Sequence, residues 1–460
     1  MDAVESALAR ASERRGDHVE ALRSLVSIPS VSTDPERRTD TLAAAEWLRK
    51  RLDTAGADEA RLLETAGYPI VFARFDAKAG DKAPTVLIYG HYDVQPVDPI
   101  ELWDSDPFEP VERDGRLYGR GASDMKAQVL ACLLAVETAR SIDRLPVNVI
   151  FLLEGEEEIG SPSLEDAIKK YGELFAADIC INPDTGMISK EQPSIRYGLR
   201  GLAYFDLTVT GPTRDLHSGS FGGVVHNPLQ ALSELIADMH DEYGRVTLPG
   251  FYDRVRVIDE QERARAKQVP VSDADVLAWT GVSQLWGEPE YSVVERIGAR
   301  PTLEINGMWG GYTGEGSKTV IPAVAHAKIS MRLVPDQDPQ EVRGQLEAYL
   351  SERVPAGIAW ELEQHASGKP FLCAPDSPYH NAFASALESV WGNKPVLARI
   401  GGSVPVAADL QNHLGVPSVL TGFALPEDRI HSPNESQDIE NYLLGIEAMI
   451  RFFYLVPGAS

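Results

Sequence analysis

Positive charge is scarce in this sequence. Of 460 residues, 43 are Lys or Arg against 69 Asp or Glu, a formal net charge of −26. Nucleic-acid binders and proteins that adhere to anionic membranes both need a basic patch, so neither partner is expected. Cysteine is scarcer still: Cys132, Cys180 and Cys373 make no CxxC pair and no disulfide framework, which suits the reducing cytoplasm. No apolar run is long enough to span a bilayer; the longest, around 149–153, is far short of the roughly 20 residues a helix needs. The opening MDAVESALARASERRGDHVE carries charges where a signal peptide needs an apolar stretch. Several signatures are missing too. Gly119-x-Gly121 lacks the third glycine of a dinucleotide loop, and GYTGEGSKT (311–319) has Ser317 between Gly316 and Lys318, so it is not a P-loop. There is no HExxH and no GxSxG.

What is present is a globular composition, 43% hydrophobic and 24% charged, in a chain long enough for two or three domains. Residues 1–60 read as helices, with Leu22, Leu25 and Val26 at helical spacing and TLAAAEWLRKRL at 41–52. Buried strands are predicted at 70–75, 85–89, 147–153 and 178–182, alternating with helices at 126–140 and 163–171. That alternation predicts an α/β domain, a mostly parallel sheet with helices on both faces. The pattern then changes. A half-exposed strand at 202–210, a helix at 228–240, strands at 301–306 and 323–334, a helix at 339–350 and a strand at 358–364 suggest a small α+β domain. Residues 242–300 read as irregular, acidic and rich in turn formers. From 379 the first style returns, with strands at 396–400 and 418–421 and a last helix at 438–454. The simplest organisation is one domain, 1–200 and 381–460, interrupted by an inserted α+β domain at 201–380.

Ligands of open α/β sheets sit beyond the carboxyl ends of the strands. The polar residues at those positions are His91-Tyr92-Asp93 after TVLIYG, Glu154-Gly155-Glu156-Glu157-Glu158 after VNVIFLL, and Asp184 after DICIN. GRGASDMKA puts Asp124 behind a glycine-rich turn at a helix start, and His431 lies just before the last helix. Each has a bland reading: a surface His-x-Asp pair, a solvated glutamate run at a helix start, an N-cap aspartate. Together they make two histidines and several carboxylates without a thiolate, a donor set for Zn²⁺, Mn²⁺ or Co²⁺. A carboxylate can bridge two such ions about 3.5–4 Å apart, and a further carboxylate is then free to act as a base. The other histidines, His18, His226, His240, His326, His365, His380 and His413, have no such setting.

The motifs GHYDVQP (90–96), GRGASDMKA (119–127), EGEEEIGS (154–161), YGLRG (197–201), DLHSG (215–219), KTVIP (318–322), MRLVP (331–335), GGSVPV (401–406) and IHSPNE (430–435) resemble those of the M20 family of di-metal peptidases. The likeness is greatest to its non-specific dipeptidase and carnosinase branch. It covers nearly the whole chain in family order. The resemblance implies a zinc-exopeptidase-like catalytic domain holding two divalent ions, with His91, Asp124, Glu158, Asp184 and His431 as ligands and Asp124 bridging. It implies Asp93 as the partner that orients His91, and Glu157 as general base in the register Glu157-Glu158-Ile159-Gly160-Ser161; a slip by one residue would give those roles to Glu156 and Glu157. The inserted domain would be a lid and the interface of a homodimer. His217 would reach the partner subunit's site to polarise the scissile carbonyl, and Arg332, with Thr319 and Ser403, would hold the C-terminal carboxylate of a small peptide. An N-acyl-amino-acid deacylase or a glutamate carboxypeptidase of the same family is the nearest alternative, and a non-catalytic dimeric metal-binding protein a distant one.

Overall fold

Residues 70–75, 85–91 and 148–154 are almost wholly apolar, and all three become buried strands of one sheet. The structure is a computed structural model that describes residues 3–78, 80–142, 145–402 and 405–456. It divides into two units, the first made of Met1–Tyr197, Cys373–Leu397 and Asp409–Ser460, the second of Gly198–Leu372 and Ala398–Ala408. No described helix is long and apolar enough to cross a membrane.

In the first unit the strands lie in the order Glu59–Leu63, Ile70–Phe75, Asn148–Glu154, Thr85–His91, Ile179–Asn182, Ser418–Leu420, Ser194–Leu199. The three inner ladders are parallel, and those flanking them are antiparallel. The fold is therefore mixed α/β with a mostly parallel central sheet. Because those central strands are parallel, their carboxyl ends share one rim, where His91 pairs in register with Glu154. The helix Gln128–Ser141 is buried on nearly every side and packs against the last helix, Ile439–Leu455, which explains its continuous apolar sequence. The expected helix at 126–140 starts later than its periodicity suggests. Residues 122–127 form a wide turn in which Asp124 and Met125 leave helical geometry. Gly121 enters that turn at φ 80°, with Val94 only 2.4 Å from where a Cβ would sit, so glycine is required there.

The second unit holds a four-stranded antiparallel sheet in the order Thr302–Gly310, Val324–Leu333, Gly201–Thr210, Ala359–Gly368. Along the Val324–Leu333 strand, burial alternates residue by residue. The buried face meets helices Pro228–Ala237 and Pro339–Arg353 in a core that includes Phe205, Leu232, Ile329 and Leu346. Residues 242–300 are not irregular throughout, as their composition suggested. They contain the short helices Glu260–Ala266, Asp273–Thr280 and Val293–Ala299, each opened by a side-chain cap from Asp259, Ser272 or Ser292.

One core histidine carries a stability prediction. His18 is 1% exposed, and neither ring nitrogen has a hydrogen-bond partner. Burial, reinforced by Arg14, pushes its pKa down to about 4 from the usual 6.5. Between those values the unfolded chain binds a proton that the folded chain refuses, so stability falls as pH drops through this window and levels off below it. His380, also lowered to about 4 by burial, contributes a slope of the same sign. His18→Leu should raise the melting temperature and shrink the stability lost between pH 7 and pH 5 by up to about 2 kcal/mol. Thermal unfolding of both proteins at the two pH values checks this; an unchanged difference would mean His18 is solvated in the folded state.

Candidate metal centre

The rim of the parallel sheet brings seven of the expected residues together. His91 is the last residue of its strand and is 1% exposed, and Asp93, two residues on, is fully buried. Nδ1 of His91 lies 3.0 Å from the Asp93 backbone carbonyl and 3.4 Å from its Oδ1, so Asp93 meets the ring with both its main chain and its carboxylate. The other ring nitrogen, Nε2, faces Asp124 Oδ1 at 3.2 Å and Asp184 Oδ1 at 3.9 Å. On the far side of Asp124, Oδ2 lies 2.9 Å from His431 Nε2, which is also 3.4 Å from Glu158 Oε2. Asp124 thus turns one oxygen to each histidine. The result is two groups that could each hold a metal ion, candidate ligand sets His91–Asp124–Asp184 and Asp124–Glu158–His431, with one donor atom from each residue of a set within 4.8 Å of the others.

The three consecutive glutamates separate cleanly. Glu156 turns away from the rim and accepts hydrogen bonds from the backbone N–H of Tyr68 and Ser163, both at 3.2 Å. Glu158 joins the second ligand set and is steadied by Gln95 Nε2 at 2.7 Å, while its own N–H donates to Asp93 Oδ2 at 3.1 Å. Glu157 lies between them, half-buried, in the turn Glu157–Ile159.

The electrostatics are those of a site short of positive charge. Burial and the carboxylates of Asp184 and Glu158 raise the pKa of Glu157. Asp184 is raised too, chiefly by burial, which prevails over the opposing His91 with the help of Asp124 and Glu158. Burial opposes a charge on Asp124, but hydrogen bonds from His431 and His91 overcome it and hold that carboxyl below the usual range. Hydrogen bonds to Asp124 and Glu158 lift His431 to about 10. His91 is lifted well above its ordinary value despite complete burial. One buried acceptor, Glu158 Oε1, has no hydrogen-bond partner, and Asp93 Oδ1 has only the long approach of His91 Nδ1. Imidazole nitrogens, carboxylate oxygens and no thiolate fit two borderline divalent ions sharing Asp124.

Of the remaining expected residues, His217, Thr319 and Arg332 lie in the second unit. His217, exposed, pairs opposite Val320 in a two-stranded ladder, its Nδ1 accepting from the Gly219 N–H at 3.0 Å. The Thr319 carbonyl accepts from Ser218 N–H at 3.0 Å, so Thr319 and His217 are close neighbours there. Arg332 sits on an inner strand of the four-stranded sheet, opposite Leu202 and Thr302. Ser403 lies outside the described residues. Sequence reasoning overlooked Glu435, Asp428 and Arg120, which pack around the Asp124 loop; the one available signal was that Glu435 ends the IHSPNE motif.

Comparison with known proteins agrees with this geometry. The family model described as peptidase family M20/M25/M40 matches residues 87–454. A Cys-Gly metallodipeptidase of Schizosaccharomyces pombe is 31% identical, over 97% of this chain and 97% of its own length. The human Beta-Ala-His dipeptidase is 34% identical, over 80% of this chain and 74% of its own. Among solved structures, an M20 family metallo-carboxypeptidase from Sulfolobus solfataricus superposes with a TM-score of 0.85 at 34% identity, covering 96% of this chain and 99% of that one.

Proposed function

The chain belongs to the M20/M25/M40 family of peptidases, and from that membership we propose that it hydrolyses the peptide bond of dipeptides, or of other short peptides with a free C-terminus, at a centre holding two divalent ions. The observation that carries this reading is the pair of ligand sets sharing Asp124, with Glu157 free beside them. His91, Asp124 and Asp184 would hold one ion, Asp124, Glu158 and His431 the other. Zn²⁺ and Mn²⁺ both suit these donors, and Co²⁺ is acceptable. When bound, such ions polarise a substrate carbonyl and bring the pKa of water from 15.7 towards about 7.

The chain's own residues do the rest. Glu157 takes the proton of the attacking water and later delivers it to the leaving amine. Asp93 fixes the tautomer and orientation of His91. His217, from the partner subunit of a homodimer formed through the second unit, would donate to the developing oxyanion. Arg332, Thr319 and Ser403 would bind the substrate carboxylate, Arg332 through paired charged hydrogen bonds. A cytoplasmic location suits cysteines that are all free. Trimming of longer peptides from the C-terminus is a second reading, favoured by the likeness to the metallo-carboxypeptidase.

The test is a mixed panel of dipeptides, tripeptides and N-acylated amino acids, read by mass spectrometry. Chelator-stripped protein is assayed alone and with Mn²⁺ or Zn²⁺. Cleavage of dipeptides that requires added metal is the expected result. Cleavage of acylated amino acids alone would transfer the function to deacylation, and loss of one C-terminal residue from longer peptides would favour the second reading.

A further inference from the structure

Asp124 could not face both histidines without something to hold its loop. The loop has left helical geometry at Asp124 itself, so its backbone N–H groups lack the partners a helix would provide. They converge on one buried side chain. Glu435, 0% exposed, accepts through Oε1 from the N–H groups of Ser123 and Asp124, each at 3.0 Å. Through Oε2 it accepts from Gly121 N–H at 3.0 Å and Arg120 Nη1 at 2.7 Å. Its backbone carbonyl takes a further bond from Gly119 N–H at 3.0 Å. Both carboxylate oxygens are thus doubly used, and every donor to the carboxylate comes from residues 120–124.

A second buried carboxylate works from the other side. Asp428, also 0% exposed, accepts from Ser123 Oγ at 2.6 Å and from Leu425 N–H at 2.8 Å, and pairs with Arg116. Asp428 and Glu435 bracket His431 in sequence. His431 is itself 52% exposed and has little packing of its own. Asn434 fixes the intervening stretch by accepting from Asp104 N–H at 2.9 Å and donating to the Leu102 carbonyl at 3.0 Å. The same two anchors therefore set both partners of the Asp124–His431 contact.

We propose that Glu435 is the positioning residue of the metal centre: by capturing the backbone of the 120–124 loop it presents Asp124 to both ligand sets and registers it against His431. The proposal rests on the reading of these residues as metal ligands. In Glu435→Gln one oxygen becomes an NH₂ group that meets N–H donors it cannot bond.

The experiment titrates Mn²⁺ into chelator-stripped protein, reads free Mn²⁺ by electron paramagnetic resonance, and records the melting temperature of the metal-free form. Glu435→Gln is expected to weaken Mn²⁺ binding by about 10- to 100-fold. Glu137→Gln is the control: its carboxylate is held by Arg14 at 2.8 Å and Arg51 at 2.5 Å and makes no contact with the loop. It should lower the melting temperature and leave Mn²⁺ affinity unchanged. Wild-type affinity in Glu435→Gln, alongside a lowered melting temperature, would reduce Glu435 to a structural residue and overturn the proposal. Should that variant not fold, Glu435→Asp decides the matter, since it keeps the charge but draws the carboxylate back from the Gly121, Ser123 and Asp124 N–H groups by one methylene; a few-fold loss of affinity supports the anchor and no loss overturns it. A wild-type protein that takes up no Mn²⁺ or Zn²⁺ would instead sink the metal reading, and the proposal with it.

Discussion

Glu157→Gln lowers kcat by about two to four orders of magnitude and leaves the metal content of the protein unchanged. The amide has the same shape but cannot accept a proton, so the variant loses acid–base chemistry alone. Of three adjacent glutamates, only this one has the freedom to do it. Glu156 is committed to the Tyr68 and Ser163 backbone, and Glu158 is drawn into the second ligand set. The neighbouring variants should therefore fail in different ways: Glu156→Gln through lowered stability, Glu158→Gln through lost metal. KM of Glu157→Gln should change little, because the residue acts on the water and not on substrate binding. Elemental analysis beside steady-state kinetics decides it. An inactive Glu157→Gln that has also lost its ions would strip Glu157 of the role of base.

The second large effect is expected from Asp124→Asn. This substitution keeps shape and volume but removes the charge that the two sets share, so both ions should be lost together and turnover with them. A ligand belonging to one set behaves differently: Asp184→Asn should leave one ion in place. The clearest readout is thermal. A ligand that binds only the folded protein adds RT ln(1 + [L]/Kd) to its stability, about 2.7 kcal/mol at 100 times Kd. Melting of the wild-type protein should thus rise with added Mn²⁺ or Zn²⁺, while the Asp124→Asn midpoint stays flat. A variant that still binds one ion tightly would show that the two sets are independent and that Asp124 does not bridge them.

Much of this was legible before any coordinates, and the reasons are physical. Apolar runs such as TVLIYG end within a residue or two of the strand end, so the polar residues there, His91 and Asp184, are picked out by position. The separation of Glu156, Glu157 and Glu158 was not readable from the residues themselves, because it depends on a distant loop offering Tyr68 N–H. Glu435 was invisible as an anchor for the same reason: three of the four donors to its carboxylate are backbone groups more than 300 positions away, and backbone carries no sequence signal. The hairpin Val111–Arg113 with Arg116–Tyr118, and the strand Ser436–Asp438 beside it, are too short and polar to announce themselves. The helices within 242–300 could have been anticipated. Ser272 with Asp275 and Ser292 with Glu295 have the spacing of capping boxes, which the overall polarity of the segment obscured.

The place of Ser418–Leu420 in the sheet, between Ile179–Asn182 and Ser194–Leu199, bears on how the protein is made. A chain leaving the ribosome presents its earlier residues first. When residue 372 has emerged, the sheet of the second unit has all its strands, but the sheet of the first still has a gap where a strand not yet synthesised belongs. The proposed ligand His431 and its proposed anchor Glu435 come later still. On the proposed reading, four of the five metal-ligating side chains thus wait through most of translation beside an unfinished sheet, and a chain interrupted before residue 431 is expected to be not a weak peptidase but an inert one.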